Sequence, residues 1–240
     1  MSDQTVMLCW RTGGDFHFPD VDLLAYHIRK QYKGQGTVKI YCITDIVSRE
    51  IVLKNVILIP AENNQWFGWW VKMNMFSPSM DKYRPFLYFD LDTAIVGDLS
   101  GFLPPVGYEN EFICLNSFFD PPRKNELQSG VMWFGKNNND ISLIWEAWKR
   151  DPQAVVRRFH TNGGDQAFFK SVITMTKVDW QGIQPNKVWS FKFNPTKKEW
   201  LTDLPTFLSV VCFHGKPRIP VAGRTVGWVQ EYIKEAKNYE

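Results

Sequence analysis

The chain has 240 residues, 44% hydrophobic and 22% charged, enough apolar surface for one large packed domain and too much for wholesale disorder. A formal net charge of +3 is too small for a dedicated nucleic-acid binder, and no run of 18 apolar residues supports a membrane span. Cys9, Cys42, Cys114 and Cys212 sit far apart in apolar stretches, which predicts buried free thiols. The N-terminus lacks a basic start followed by an apolar run, so a cytoplasmic location is expected.

Residues 5–10 (TVMLCW) predict a strand ending at Arg11-Thr12-Gly13-Gly14, a turn signal. A helix follows over about 20–32, where Val21, Leu24, Ala25 and Ile28 recur at helical spacing. Residues 37–44 predict a second strand with Asp45 just past its end, and 55–60 a third. The Trp/Met/Phe-rich stretch 66–76 predicts a helix, and 85–90 a fourth strand. Later strands are expected at 111–116, 129–135 and 207–213, the last ending at His214. Further helices are expected at 140–150, capped by Asp140, at 165–172 after Gly163-Gly164, and at 224–238.

This alternation predicts an α/β domain with a Rossmann-like, mostly parallel central sheet flanked by helices. Ligands of such sheets sit beyond the C-terminal strand ends. The Gly13-Gly14 turn, Asp45 and the Asp90–Asp92 segment all fall there.

The sharpest chemical signal is Tyr88-Phe89-Asp90-Leu91-Asp92-Thr93. An apolar strand ends in carboxylates at i and i+2, which on a regular strand face the same way. Two such carboxylates repel unless a cation accompanies them, and hard divalent ions take oxygen ligands.

FDLDTAIVGDL resembles the Asp-X-Asp segment of GT-A-fold glycosyltransferases, especially the family 8-like group. Gln128-Ser129-Gly130-Val131-Met132, Gly164-Asp165-Gln166 and His214-Gly215-Lys216-Pro217 resemble later segments of that family, in the same order, across roughly residues 5–220. The resemblance implies one GT-A-like domain over 1–240, with a nucleotide-binding half of about 1–100 and an acceptor-side half of about 101–240. It implies a metal-dependent transfer of sugar from a nucleotide-diphosphate donor, a UDP-sugar first, with retention. Asp90, Asp92 and His214 would hold Mn²⁺ or Mg²⁺, with Asp90 also near the ribose. Thr12, Gly13 and Asp45 would line base and ribose, and Lys216 would meet the phosphates. Ser129 and Gly130 would let the backbone approach the donor. Asp165 would hold sugar hydroxyls, and Gln166 would lie near the anomeric carbon.

Other readings compete at several of these positions. Lys72 stands where related enzymes carry a basic helix residue, and the resemblance implies that it contacts the donor, but in an aromatic helix it also reads as a snorkelling lysine. Asp165 also suits a helix cap. Trp69-Trp70 reads as core in preference to an acceptor platform, and Trp133, Trp180 and Trp189 are further stacking candidates. The His-to-Lys spacing is shorter than in the family pattern, which leaves Lys216 and Arg218 as rivals for the phosphates. Lys187, Lys192, Lys197 and Lys198 read as a solvated basic face or a site for an anionic acceptor. The acceptor itself, whether glycan, lipid-linked sugar, protein or modified nucleic acid, is not specified.

Three other functions remain open. Phe89-Asp90-Leu91-Asp92-Thr93 also resembles the first motif of haloacid-dehalogenase-type phosphatases, with Asp90 as nucleophile and Mg²⁺ as cofactor. A nucleotidyltransferase on a related fold and a catalytically weak sugar-nucleotide-binding relative are the others.

Overall fold

The computed structural model describes residues 3–46, 53, 56–62, 66–118, 127–173, 178–193 and 200–237. A six-stranded sheet has the order β3-β2-β1-β4-β7-β6, formed by β1 (Gln4–Cys9), β2 (Val38–Thr44), β3 (Ile57–Pro60), β4 (Phe86–Phe89), β6 (Phe112–Leu115) and β7 (Gln128–Phe134). β1 pairs in parallel with β2 and β4, and β2 with β3; β7 runs antiparallel to both of its neighbours. The sheet is therefore mostly parallel, as the alternation predicts. Its order reverses between β1 and β4.

The central strands are apolar on both faces, and period two divides the core. Val6, Leu8, Leu87, Phe89, Val131 and Trp133 face one cluster, which includes Val21, Leu24, Ala25 and Ile28 of α1 (Phe18–Gln31). Met7, Cys9, Phe86, Tyr88, Met132 and Phe134 face the other. There they meet α2 (Asn139–Arg150), α4 (Gly164–Val172) and a 3-10 helix, Gly68–Phe76. Helix α1 starts where His17 and Asp20 exchange hydrogen bonds and Pro19 fixes the first turn.

The stretch expected as a helix at 66–76 is wound as 3-10. Seven consecutive side chains, Trp70 to Phe76, are buried, so no solvent face exists and packing sets the winding. Ser77 and Pro78 stop it and open a second 3-10 segment, Pro78–Tyr83. The cap of α2 is Asn138, whose side chain accepts from the Asp140 N–H at 2.9 Å; Asp140 is thus not the cap. A helix absent from the sequence reading, α3 (Pro152–Phe159), buries no residue fully.

A second sheet was also not anticipated. β5 (Thr93–Ile95), β9 (Val210–Cys212) and β8 (Val188–Ser190) pair in the order β5-β9-β8. The short α5 (Trp180–Ile183) precedes β8. α6 (Ile219–Ala222) and α7 (Gly227–Lys237) pack on the small sheet through Ile219, Ala222, Val229 and Tyr232. All four cysteines are free and buried. Among the described residues no helix is long and apolar enough to cross a membrane.

Candidate active site

A cavity of about 640 Å³ opens where the strand order reverses, beyond the ends of β1 and β4. One wall comes from the chain after β1, including Trp10, Arg11, Asp15 and Phe16, together with His214, Gly215 and Arg218 after β9. The other comes from Trp69, His160, Gly163, Gly164 and Gln166. The floor carries Lys72, Asp90, Asp92, Gly130 and Asp165.

Asp90 and Asp92 do not share a strand face. β4 ends at Phe89, and the chain turns through Leu91 and Asp92, with the Thr93 N–H donating to the Asp90 carbonyl at 3.1 Å. The turn carries the chain from the large sheet into the small one, because β5 pairs with β9. Asp90 therefore points toward Lys72, and Asp92 toward the segment after β9.

Lys72 is the hub of the floor. Its Nζ lies 2.9 Å from Asp90 Oδ1, 3.0 Å from Asp165 Oδ2 and 3.1 Å from Ser129 Oγ. Ser129 Oγ also donates to Asp165 Oδ2 at 2.6 Å. With only 5% of its surface exposed, Lys72 does not snorkel. Burial alone would favour its neutral form, but Asp165 and Asp90 outweigh that and hold its pKa above the ordinary value. Burial acts on Asp90 in the opposite sense and lifts its pKa to about 6, against the pull of Lys72. Tyr88 Oη adds a hydrogen bond to Asp90 Oδ1.

Asp165 is committed to this network and caps nothing. The cap position of α4 belongs to Gly163, at φ +84°, with no side-chain bond. Gly130 lines the floor and accepts the Asp90 N–H at 2.9 Å, whereas Ser129 lies behind it.

Asp92 faces a separate cation. Its Oδ2 accepts from Arg218 Nη1 at 2.7 Å and from the Gly215 N–H at 3.0 Å. Arg218 also reaches Asp15 Oδ2 at 2.9 Å and lies over the Phe16 ring at 4.4 Å. His214 and Gly215 both have left-handed backbones, φ +49° and +78°. The turn is held by Asp92 and by the Lys192 ammonium, which donates to the carbonyls of His214 and Lys216. Lys192 is therefore not part of a free basic face; Lys197 and Lys198 lie outside the described residues.

Burial pushes the His214 imidazole down to about 4 against the opposing pull of Asp92, so the ring is neutral near pH 7. Its Nε2 is buried with no hydrogen-bond partner among the described residues.

Thr12, Gly13, Asp45 and Lys216 are not part of the cavity wall. Asp45 accepts the Thr12 N–H at 3.0 Å and the Thr12 hydroxyl, and pairs with Arg11 at 3.5 Å. Burial alone would raise its pKa, but these partners hold it below the usual carboxylate range. Asp45 thus shapes the loop whose neighbours Arg11, Gly14 and Asp15 form the wall. Lys216 is exposed. Trp133, Trp180 and Trp189 are buried in the core and offer no stacking surface. Of the Trp69-Trp70 pair, Trp70 is core, whereas Trp69 is 42% exposed at the cavity mouth.

The sequence reading missed Trp10, Asp15, Phe16 and His160. The first three flank the Arg11–Gly14 turn that it did single out. His160 follows the unanticipated α3, and no local pattern marks it.

No protein-family model and no curated protein matches the sequence. Solved structures do match. The glycosyltransferase GlyE of Streptococcus pneumoniae TIGR4 aligns with 96% of this chain at a TM-score of 0.66 and 14% identity, and the chain spans 60% of GlyE. The galactosyltransferase LgtC, solved with donor and acceptor sugar analogs, aligns with 98% of this chain and 95% of its own length, at a TM-score of 0.55 and 10% identity. The bifunctional glycosyltransferase WbbM aligns with 97% of this chain and 51% of its own length, at 0.54 and 13%. The chain therefore has the GT-A-like fold that its Asp-X-Asp segment implies.

Proposed function

We propose that the chain is a glycosyltransferase that moves a sugar from a UDP-sugar to an acceptor with retention of configuration. The observation that carries this reading is the charged floor at the reversal point of the sheet. There Asp90, Asp92 and Asp165 are gathered with Lys72 and Arg218, in a cavity of a size suited to a nucleotide sugar.

The donor chemistry also fits a divalent cation. A buried neutral imidazole with an unpartnered Nε2 lines the same cavity as two carboxylates, a set that suits Mn²⁺ and, less well, Mg²⁺. Asp90, Asp92 and His214 would hold it. Among the described residues no three such side chains are gathered as they stand, and Lys72 and Arg218 engage the two carboxylates. The bound ion would supply positive charge to the donor diphosphate as it leaves.

The remaining roles belong to the chain's own groups. The loop braced by Asp45 and Thr12, with Gly13 at its bend, borders the base and ribose. Arg218 stands on the cavity wall and Lys216 just outside it, both able to meet phosphate oxygens. Gly130 leaves room for the donor. Asp165, locked by Lys72 and Ser129, would orient sugar hydroxyls, and Gln166 beside it would face the anomeric carbon.

Retention is supported by charge pairing. Among the described residues the carboxylates lining the cavity are Asp15, Asp90, Asp92 and Asp165, and each is paired with Arg218 or Lys72. None is an unpaired general base of the sort an inverting displacement needs. The same pairing disfavours the phosphatase reading. Asp90 would have to attack as a nucleophile while Tyr88 and Lys72 engage its oxygens.

A thermal-shift panel of UDP-, GDP-, ADP-, CMP- and dTDP-sugars, with and without Mn²⁺, tests the reading. Donor at 100 times its Kd adds about 2.7 kcal/mol, which for this size of domain is a rise of roughly 5–10 °C. A Mn²⁺-dependent rise with UDP-sugars, lost in Asp92→Ala, is expected. No rise with any nucleotide, together with Mg²⁺-dependent hydrolysis of a phosphate ester, would overturn it.

A further inference from the structure

Trp69 is a large apolar side chain left 42% exposed at the cavity. Its indole stacks on the His160 ring, with centroids 4.8 Å apart and planes at 11°. His160 is itself fixed, since its Nδ1 accepts a hydrogen bond from the buried Trp70 Nε1 at 3.3 Å. Phe67, 50% exposed, meets His160 edge-on at 5.1 Å. The backbone is cut to fit this cluster. Gly164 has φ +62°, and a Cβ there would stand 3.0 Å from Trp69 Nε1. Trp69 and His160, from two distant segments, thus form a rigid aromatic surface lining the cavity, and Phe67 extends it edge-on against His160.

The position of this surface relative to the reacting centre follows from helix geometry. Trp69 and Lys72 are three residues apart in the 3-10 helix, so their side chains lie along one edge, about 6 Å apart along its axis. Lys72 grips Asp165, and Asp165 adjoins Gly164, against which the Trp69 indole rests. The platform is therefore about one sugar unit from the charged floor.

We infer that Phe67, Trp69 and His160 bind the acceptor, and that the acceptor presents a pyranose ring to them. This inference rests on the glycosyltransferase reading. A pyranose offers a flat face of C–H groups carrying partial positive charge, which complements the negative face of an indole. Its hydroxyls, projecting from the rim of the ring, would reach Gln166 and the polar floor. A nucleobase is the competing flat ligand. The segment after β1 that would border the nucleotide lines the cavity through Arg11, Gly14, Asp15 and Phe16, beside Arg218, which leaves the Trp69 surface for the second substrate.

Saturation-transfer NMR tests the assignment. The probes are methyl β-pyranosides of glucose, galactose, mannose and N-acetylglucosamine, with the protein held in UDP and the diamagnetic Mg²⁺. Wild type should transfer saturation to the ring C–H protons of at least one pyranoside. Trp69→Ala and Phe67→Ala should reduce the transfer at least about fivefold, and Trp69→Phe should restore part of it, while the UDP-induced thermal shift of each variant stays that of wild type. The platform is overturned if wild type saturates no pyranoside, if Trp69→Ala saturates them equally, or if Trp69→Ala also loses the UDP shift. Absence of a UDP shift in wild type would instead sink the nucleotide-sugar reading, and pyranoside binding lost on removing Trp69 would still establish the platform.

Discussion

Lys72 and Asp165, 93 residues apart in sequence, meet with Nζ 3.0 Å from Oδ2, and the same ammonium reaches Asp90 at 2.9 Å. One buried cation thus restrains a buried carboxylate, Asp165, and a partly buried one, Asp90. Removing one partner of such a group costs about 3–5 kcal/mol, because the remaining charge is left unpaired. Lys72→Met should lower stability by that order in urea unfolding. Adding Asp165→Asn removes one of the stranded charges, so the double variant should recover part of the loss. Equal stability of the single and double variants would show that the three groups are not coupled.

Arg218 holds the carboxylate that a divalent ion would need. Both partners of the Arg218–Asp92 pair retain some solvent exposure, so its contribution to folding is small, up to about 1 kcal/mol. Arg218→Ala should therefore leave the melting temperature nearly unchanged. It should tighten Mn²⁺ binding to the nucleotide-free protein about two- to fivefold, read by electron paramagnetic resonance, and weaken the nucleotide-induced thermal shift. Weaker Mn²⁺ binding in this variant would show that Arg218 and the ion do not compete.

His27 links α1 to α7. Its Nε2 lies 2.8 Å from the Tyr232 carbonyl, its ring stacks on the Tyr232 ring at 3.6 Å, and Glu235, Lys30 and Tyr26 surround it. Burial depresses its pKa to about 4, opposed by the Tyr232 carbonyl and Glu235. The unfolded chain thus binds a proton more readily than the folded one. Stability is complete above about pH 6.5 and falls as pH drops toward 4, by roughly 3 kcal/mol in total. Urea unfolding between pH 7 and 4 should show this slope in wild type, and His27→Gln should remove the His27 share of it, leaving that of His214.

Gly97 closes the small sheet. A Cβ there would lie 2.3 Å from the Leu208 carbonyl oxygen, and its N–H donates to Ser209 at 3.2 Å. Gly97→Ala should cost about 1–3 kcal/mol by forcing this backbone contact apart. It should also weaken nucleotide binding, because β9 carries the His214–Arg218 turn. A variant with unchanged melting and binding would show that the segment yields freely.

Much of the large sheet was legible because its strands are uniform apolar runs ending at turn residues, as in Val6–Cys9 and Phe86–Phe89. The placement of Asp90 past a strand end was legible for the same reason. The face shared by Asp90 and Asp92 was not, because a two-residue spacing gives a common face only while the strand continues, and β4 stops at Phe89. Lys72 stood out as the lone cation in an aromatic run, but its partners lie 18 and 93 residues away, beyond any local pattern. The exposure of Trp69 beside the buried Trp70 depends on Gly164 and His160, which only the folded chain brings to it. Of the small sheet, β9 was legible within the apolar run 207–213, whereas β5 and β8, three residues each, were too short to announce themselves.

The division of the Asp-X-Asp segment between two sheets has a thermal consequence. Asp90 is anchored by six strands, but Asp92 and the segment from His214 to Arg218 hang on three strands of three residues each. Regions with fewer buried contacts open first. On heating, the small sheet and the His214–Arg218 turn should loosen several degrees before the secondary structure of the large sheet melts, so the proposed nucleotide binding should fail first.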